Sequence, residues 1–127
     1  MIVIDSSGWI EFFADGPHAA AFAARLRRPE EVLAPTVAVY EVYKWIKRER
    51  SEDEALEAVA AMRKTRIADL TEEVALTAAD LSLAHGLPMA DAMMLAFARE
   101  NGADLVTTDS GLEGLPGVLV FSKKTTR

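Results

Sequence analysis

Residues 104–109, DLVTTD, run from a short apolar segment into two hydroxyls and stop on an aspartate. Residues 1–5, MIVID, do the same at the other end of the sequence, and there Ser6 and Ser7 follow the acid. Other short apolar runs occur at 32–33 (VL), 66–70 (RIADL) and 118–121 (VLVF). Apolar runs that are continuous rather than alternating suit strands covered by helices on both faces. The stretches between them favour helix, with alanine concentrated in HAAAFAARL (18–26) and EALEAVAAM (54–62). Such alternation predicts an α/β fold with a parallel sheet. A parallel strand buried along its length first presents a polar side chain at its carboxyl end, where open α/β sheets bind ligands. Asp5 and Asp109 are therefore candidate site residues. The plainer alternative for each is a turn former or a helix cap.

The pattern predicts strands at 1–5, near 32–34, near 66–69, at 104–108 and at 117–121. Helices are expected at about 7–14, 17–28, 36–49, 52–64, 72–85 and 88–101. Gly16-Pro17 places proline at a first helical position. Ser51 with Glu54 forms a capping box, and Thr71 precedes two acids in a first turn. Gly86 and Gly102 sit just past apolar-periodic segments, where a left-handed residue ends a helix. The last residues, SKKTTR at 122–127, are expected to be a frayed basic tail.

The chain has 127 residues, enough for one domain with a proper core, so a single domain over 1–127 is expected. Lys and Arg number 14 against 20 Asp and Glu, a net charge of −6. Bulk attraction to a phosphate backbone is thereby unfavourable. Cysteine is absent and histidine occurs twice, which excludes thiolate chemistry and leaves little for an imidazole zinc site. His18 and His85 lie near helix ends with no acid at catalytic spacing. No apolar stretch approaches the roughly 18 residues of a membrane helix, and MIVIDSSGW has no basic leader region. A cytoplasmic protein without membrane contact is the expectation.

Two further acids stand out. Glu41 lies in the apolar helix TVAVYEVYKWI (36–46), with Val37 and Trp45 four residues to either side. A buried carboxylate needs a cation, a hydrogen bond or a metal, and an ion pair with Lys44 is the simplest partner. Asp91 begins a helix whose other residues are nearly all apolar, where the helix N-terminus alone would favour it. If the four acids converge, they repel one another and raise each other's pKa values unless a cation sits among them. Mg²⁺ or Mn²⁺ are the expected cations, since both accept carboxylates and water.

Four segments taken in order, IVIDSSGWIEFF (2–13), TVAVYEVYK (36–44), GLPMADAMMLAFARENG (86–102) and LVTTDSGLEGL (105–115), resemble the PIN domain, and among PIN domains most of all the VapC-type toxins. The resemblance spans residues 1–121. It implies a parallel five-stranded sheet flanked by helices and a metal-dependent ribonuclease. It makes Asp5, Glu41, Asp91 and Asp109 an acidic quartet, with Asp5, Asp91 and Asp109 on the metal. Ser6 matches the small hydroxyl residue after the first acid, and Thr107 the hydroxyl two residues before the last. Many relatives carry an aromatic three residues after the last acid, where this chain has Leu112. Glu113 reads as a solvated loop residue. The resemblance also implies a type II toxin acting on structured RNA, a homodimer, and a VapB-like antitoxin that presents a basic residue to the acids.

An acidic protein must still hold RNA. Lys44 and Arg48 lie three and seven residues after Glu41 on its own helix face and are candidates for guiding it. Lys47 on the same helix and Lys123, Lys124 and Arg127 in the tail are further candidates. Arg25, Arg27 and Arg28 end a helix, where cations suit the dipole. Tyr40, Tyr43 and Trp45 fit either a helix interface or core packing. Two other functions fit parts of the pattern: a Mg²⁺-binding receiver domain and a non-catalytic module on the same fold. A receiver needs paired acids after the first strand and a phosphoacceptor ending a middle strand. Here Asp5 is followed by serines, and the middle-strand candidate is Asp69 beside Leu70.

Overall fold

The computed structural model of the protein describes residues 1–121, so the expected tail at 122–127, with Lys123, Lys124 and Arg127, lies outside the described residues. Strand β1 (Ile2–Ile4) leads into α1 (Ser6–Phe13) and α2 (Ala19–Arg25). Then follow β2 (Val32–Pro35), α3 (Thr36–Glu49), α4 (Glu52–Met62) and β3 (Arg66–Ala68). The chain continues through α5 (Glu72–His85), α6 (Met89–Glu100), β4 (Asp104–Thr107) and β5 (Val118–Val120). All five strands pair in parallel, in the order β3-β2-β1-β4-β5. Val3, Ile4, Leu105 and Val106 are buried at the centre of the sheet, under Trp9, Phe22, Leu95 and Phe97 from the helices. The edge strands β3 and β5 are short and expose Ile67 and Leu119. The expected architecture is thus present, and its runs of continuous apolar residues are the central strands.

The strand order decides where a ligand fits. From β1 the chain builds outward through β2 to β3, then returns across β1 to build β4 and β5 on the other side. The reversal falls between β1 and β4. A crevice opens at the carboxyl ends of two such strands because their connections leave in opposite directions. Asp5 follows β1 and Asp109 follows β4 by two residues, so both acids stand at that crevice.

Most helix signals are realised. Ser51 caps α4 by accepting the Glu54 N–H at 3.1 Å, and Thr71 caps α5 by accepting the Val74 N–H at 3.2 Å. Gly86 and Gly102 have φ of 67° and 61°, as a helix stop requires. The helix expected at 17–28 is shorter at both ends. Pro17 lies in a turn and not at a first helical position, because Glu11 closes residues 14–18 from below. Its carbonyl accepts the Gly16 N–H at 2.9 Å and its carboxylate the His18 N–H at 2.7 Å. At the far end Arg25 alone of the three arginines is helical, and its guanidinium packs 5.0 Å from the Phe121 ring. Arg28 pairs with Glu31 at 3.2 Å instead. Among the described residues no single helix is long and apolar enough to cross a membrane. The apolar pair α5 and α6 turns through 119° between them, and most of α6 is buried.

Candidate acidic site at the strand ends

Asp5 is 2% exposed and caps α1. One carboxylate oxygen accepts the Gly8 N–H at 3.1 Å and the Ser7 hydroxyl at 2.7 Å; the other accepts the Thr107 hydroxyl at 2.6 Å. Burial raises its pKa; these three hydrogen bonds oppose the rise, and the charge of Asp109 adds to it. Asp5 is therefore both the cap and a member of the acidic group, and the two readings do not exclude each other.

Thr107 ties the two strand ends together. Besides donating to Asp5, its hydroxyl accepts the Asp109 N–H at 2.9 Å. The Asp109 carboxylate accepts the Gly111 N–H at 2.8 Å and caps a short 3-10 turn, Ser110–Leu112. Ser7 adds a second tie across the same gap. Its oxygen lies 3.1 Å from the Thr107 hydroxyl and accepts the Thr108 N–H at 3.1 Å. A ladder of hydroxyls thus joins residues a hundred positions apart in sequence and fixes the spacing of Asp5 and Asp109.

Glu41 comes from the middle of α3, half-buried, and accepts a short hydrogen bond from the Ser6 hydroxyl. Among the described residues no Glu41–Lys44 ion pair forms. The Lys44 ammonium sits instead over the Tyr40 ring, 5.5 Å from its centroid. Asp91 is half-buried in the first turn of α6. A helix N-terminus by itself lowers a carboxyl pKa, yet Asp91 is pushed up to about 7. Burial is the largest cause, followed by contact with the Asp109 carboxylate and then by the charges of Asp109, Asp5 and Glu41. Asp91 therefore senses all three other acids. The four carboxylates gather from β1, α3, α6 and the end of β4 at one place.

The donor set is entirely oxygen: four carboxylates with serine and threonine hydroxyls between them. Such a set fits a hard divalent cation and offers nothing to a soft one. Among the described residues no three acidic or imidazole side chains form a ready-made metal cage. The Asp5 carboxylate accepts three hydrogen bonds, two on one oxygen and one on the other, which leaves a lone pair on the oxygen that faces Thr107.

Two hollows flank Glu41. One, of about 290 Å³, is lined by Ser6, Ser7, Glu41, Lys44, Trp45 and Arg48 among others. The other, of about 340 Å³, is more apolar and carries Tyr40, Leu70, Met89 and Met93. Lys44 and Arg48 thus share one hollow with Glu41, whereas Lys47 turns to the Tyr43 ring and Glu52. Leu112, in place of an aromatic, is fully buried, and Glu113 is exposed. His18 caps no helix with its side chain and lies 5.6 Å from the Phe121 ring.

Sequence reasoning missed two residues. Of the two serines after Asp5, it is Ser7 that donates to its carboxylate, while Ser6, the one matched to the family pattern, serves Glu41. Either serine of DSS fits the pattern, and the turn into α1 decides which one faces back. Glu11 was the second. It is only 2% exposed, and its carboxylate holds the 14–18 turn. A lone acid in the apolar helix WIEFF is the same signal that marks Glu41.

No curated protein matches the sequence. Among solved structures, a toxin–antitoxin complex from Klebsiella pneumoniae contains a similar chain, with TM-score 0.80 and 22% identity over 96% of this chain and 99% of that one. VapC20 from Mycobacterium tuberculosis, described as a sarcin-ricin loop cleaving toxin, gives TM-score 0.72 and 22% identity over 87% and 91%. FitAcB from Neisseria gonorrhoeae gives TM-score 0.74 and 21% identity over 97% and 98%. At these identities the likeness is one of fold. The PIN domain family matches the sequence itself over residues 2–118, and this chain belongs to that family.

Proposed function

We propose that the protein is a Mg²⁺- or Mn²⁺-dependent endoribonuclease of the cytoplasm, the toxin of a toxin–antitoxin pair, acting on a structured RNA. The observation that carries this reading is the meeting of Asp5, Glu41, Asp91 and Asp109 at the carboxyl ends of β1 and β4, close enough for the other three to raise the Asp91 pKa. Four carboxylates that repel one another in an uncharged setting are a cost to the fold unless a cation is the usual companion. Asp5, Asp91 and Asp109 would hold that cation. When bound, it activates a water and offsets the charge that builds on the phosphate. Thr107 and Ser7 keep Asp5 and Asp109 at fixed spacing, and Ser6 orients Glu41. Glu41 would ligate the cation directly, or orient the attacking water or accept its proton. Lys44 and Arg48 draw the RNA towards the acids on the α3 side.

The likeness to chains described as toxins, in complexes with antitoxins, supports the biological setting. A VapB-like antitoxin with a basic residue reaching the acids and a homodimer of this chain belong to the same proposal. A receiver domain is disfavoured because Asp69 follows β3 at the sheet edge, far in strand order from β4. The test is cleavage of total RNA by the isolated protein, with sequencing of the new RNA ends. Excess EDTA abolishes cleavage, and Glu41→Gln lowers it at least tenfold, about 1.4 kcal/mol of barrier. Undiminished cleavage in EDTA excludes the mechanism. A folded protein that cleaves no RNA, with Mg²⁺ or with Mn²⁺, leaves a non-catalytic module on this fold.

A further inference from the structure

A hollow of about 150 Å³ opens where α1, the end of α2 and the end of α4 meet, and none of the four acids lines it. Its apolar wall is Trp9 and Phe12 from α1, Leu26 and Pro29 after α2, and Ala61 in the last turn of α4. Trp9 is 1% exposed, and among the described residues its indole N–H has no hydrogen-bond partner. A buried donor left unpaired is costly, so an occupant that accepts from it recovers that cost. Lys64 and Thr65 complete the lining, and no acid belongs to it. Among the described residues no ion pair involves Lys64 or its neighbours Arg63 and Arg66. The carbonyls that end α4 are already taken: Val59, Ala61 and Met62 accept the N–H groups of Arg63, Lys64 and Thr65. Thr65 also spends its hydroxyl proton on the Met62 carbonyl, at 2.6 Å. What the hollow offers an occupant is therefore an indole N–H and an ammonium, both donors.

We propose that this hollow binds a small organic carboxylate whose apolar body is about the size of a benzene ring. The body fills the space between Trp9, Phe12, Leu26 and Pro29, while the carboxylate accepts from the Trp9 indole and meets the Lys64 ammonium. A cavity of about 150 Å³ admits benzene, which sets the size of the body. A ring there extends an existing aromatic cluster, since Trp9 stacks on Phe13 at 5.8 Å and Phe12 meets Phe13 edge-on at 5.2 Å. Charge favours an anion here although the whole chain carries −6. Arg27 and Arg28 stand between Leu26 and Pro29 in sequence, and Arg63, Lys64 and Arg66 follow Ala61. An amine would meet Lys64 as a like charge. A protein partner is disfavoured because none of the lining residues is among the exposed large apolar side chains. The apolar surface on offer lies inside the hollow and suits one ring, far less than the core of an interface. The proposal stands independently of the ribonuclease reading.

The test follows the indole N–H resonances of the full chain, labelled with ¹⁵N, during titration with benzoate. The sequence holds two tryptophans, Trp9 and Trp45, and Trp45→Phe assigns their signals. Benzoate is expected to move the Trp9 proton downfield, saturably, and to leave Trp45 in place. Benzylamine, with the same ring and opposite charge, and acetate, with the charge and no ring, bind at least tenfold more weakly. Lys64→Gln, at an exposed position, weakens benzoate about tenfold, in line with loss of a charge-assisted hydrogen bond. Ala61→Leu fills the hollow and abolishes the shift. A stationary Trp9 resonance, benzylamine binding equal to that of benzoate, or an unaffected Lys64→Gln overturns the proposal. So does a shift at Trp45 alone, which places the acid in the hollow beside Glu41. A blocked glutamyl-phenylalanine dipeptide that binds more tightly than benzoate also overturns it and assigns the hollow to a protein partner.

Discussion

Asp91 shows how one side chain reports on its surroundings. In an unfolded chain its carboxyl titrates near the ordinary value of 3.8, and in the folded protein near 7. Between those values the folded state holds a proton that the unfolded state has released. Stability of the metal-free protein must then fall as pH rises from about 4 to about 7, and level off above. Asp5, also raised, acts in the same direction. Urea unfolding in EDTA at several pH values measures this, and Asp91→Asn is expected to flatten the decline. An Asp91→Asn curve that runs parallel to the wild type over the same window means that Asp91 does not titrate as a buried acid. Asp91 was legible in sequence because one acid early in an apolar helix is conspicuous. Its coupling to the other three was not, because that depends on distances between elements.

At the scale of elements, α1 is set by two close approaches. Gly8 lies against β1 and α2 so tightly that an added Cβ would meet the Phe22 ring at 2.6 Å and Ile4 at 2.8 Å. Gly8→Ala therefore forces α1 off its seat and is expected to destabilise the protein by about 1–3 kcal/mol in urea titrations. Because Gly8 also donates to Asp5, the cleavage proposed above is expected to fall with it; an alanine variant of wild-type stability would mean that α1 has slack. Strand and helix order was legible here because burial on both faces makes runs such as Leu105–Val106 unmistakable. The start of α2 was not. Its proline signal placed the helix start at Pro17, but Glu11, seven residues before His18, holds the backbone there in a turn, and no local rule registers a side chain reaching that far.

For the whole molecule, the cation site proposed above would link folding to cation binding. In EDTA, Asp5→Asn removes one charge from the group, and asparagine caps a helix as well as aspartate does. The Thr107 hydroxyl can turn to accept from the new amide. The variant is thus expected to melt at the wild-type temperature or above it. On adding Mg²⁺ or Mn²⁺ the wild type is expected to gain stability as RT ln(1 + [L]/Kd), about 2.7 kcal/mol at a hundredfold excess over Kd, and the variant much less. Melting curves across a metal titration read both effects. An Asp5→Asn protein that responds to metal as the wild type does removes Asp5 from the cation site.

The hydroxyl ladder between Ser7 and Thr107 also has a consequence for biosynthesis. Asp5 and Glu41 leave the ribosome well before Asp109, and Asp91 only 18 residues before it, and the parallel pairing of β1 with β4 cannot form until β4 has followed them out. Contacts this distant in sequence are late events in folding. A growing chain therefore carries three of its acids without their partner across the ladder. If the chain cleaves RNA as proposed, this order of emergence keeps the acidic group incomplete until Asp109 has followed the other three acids out.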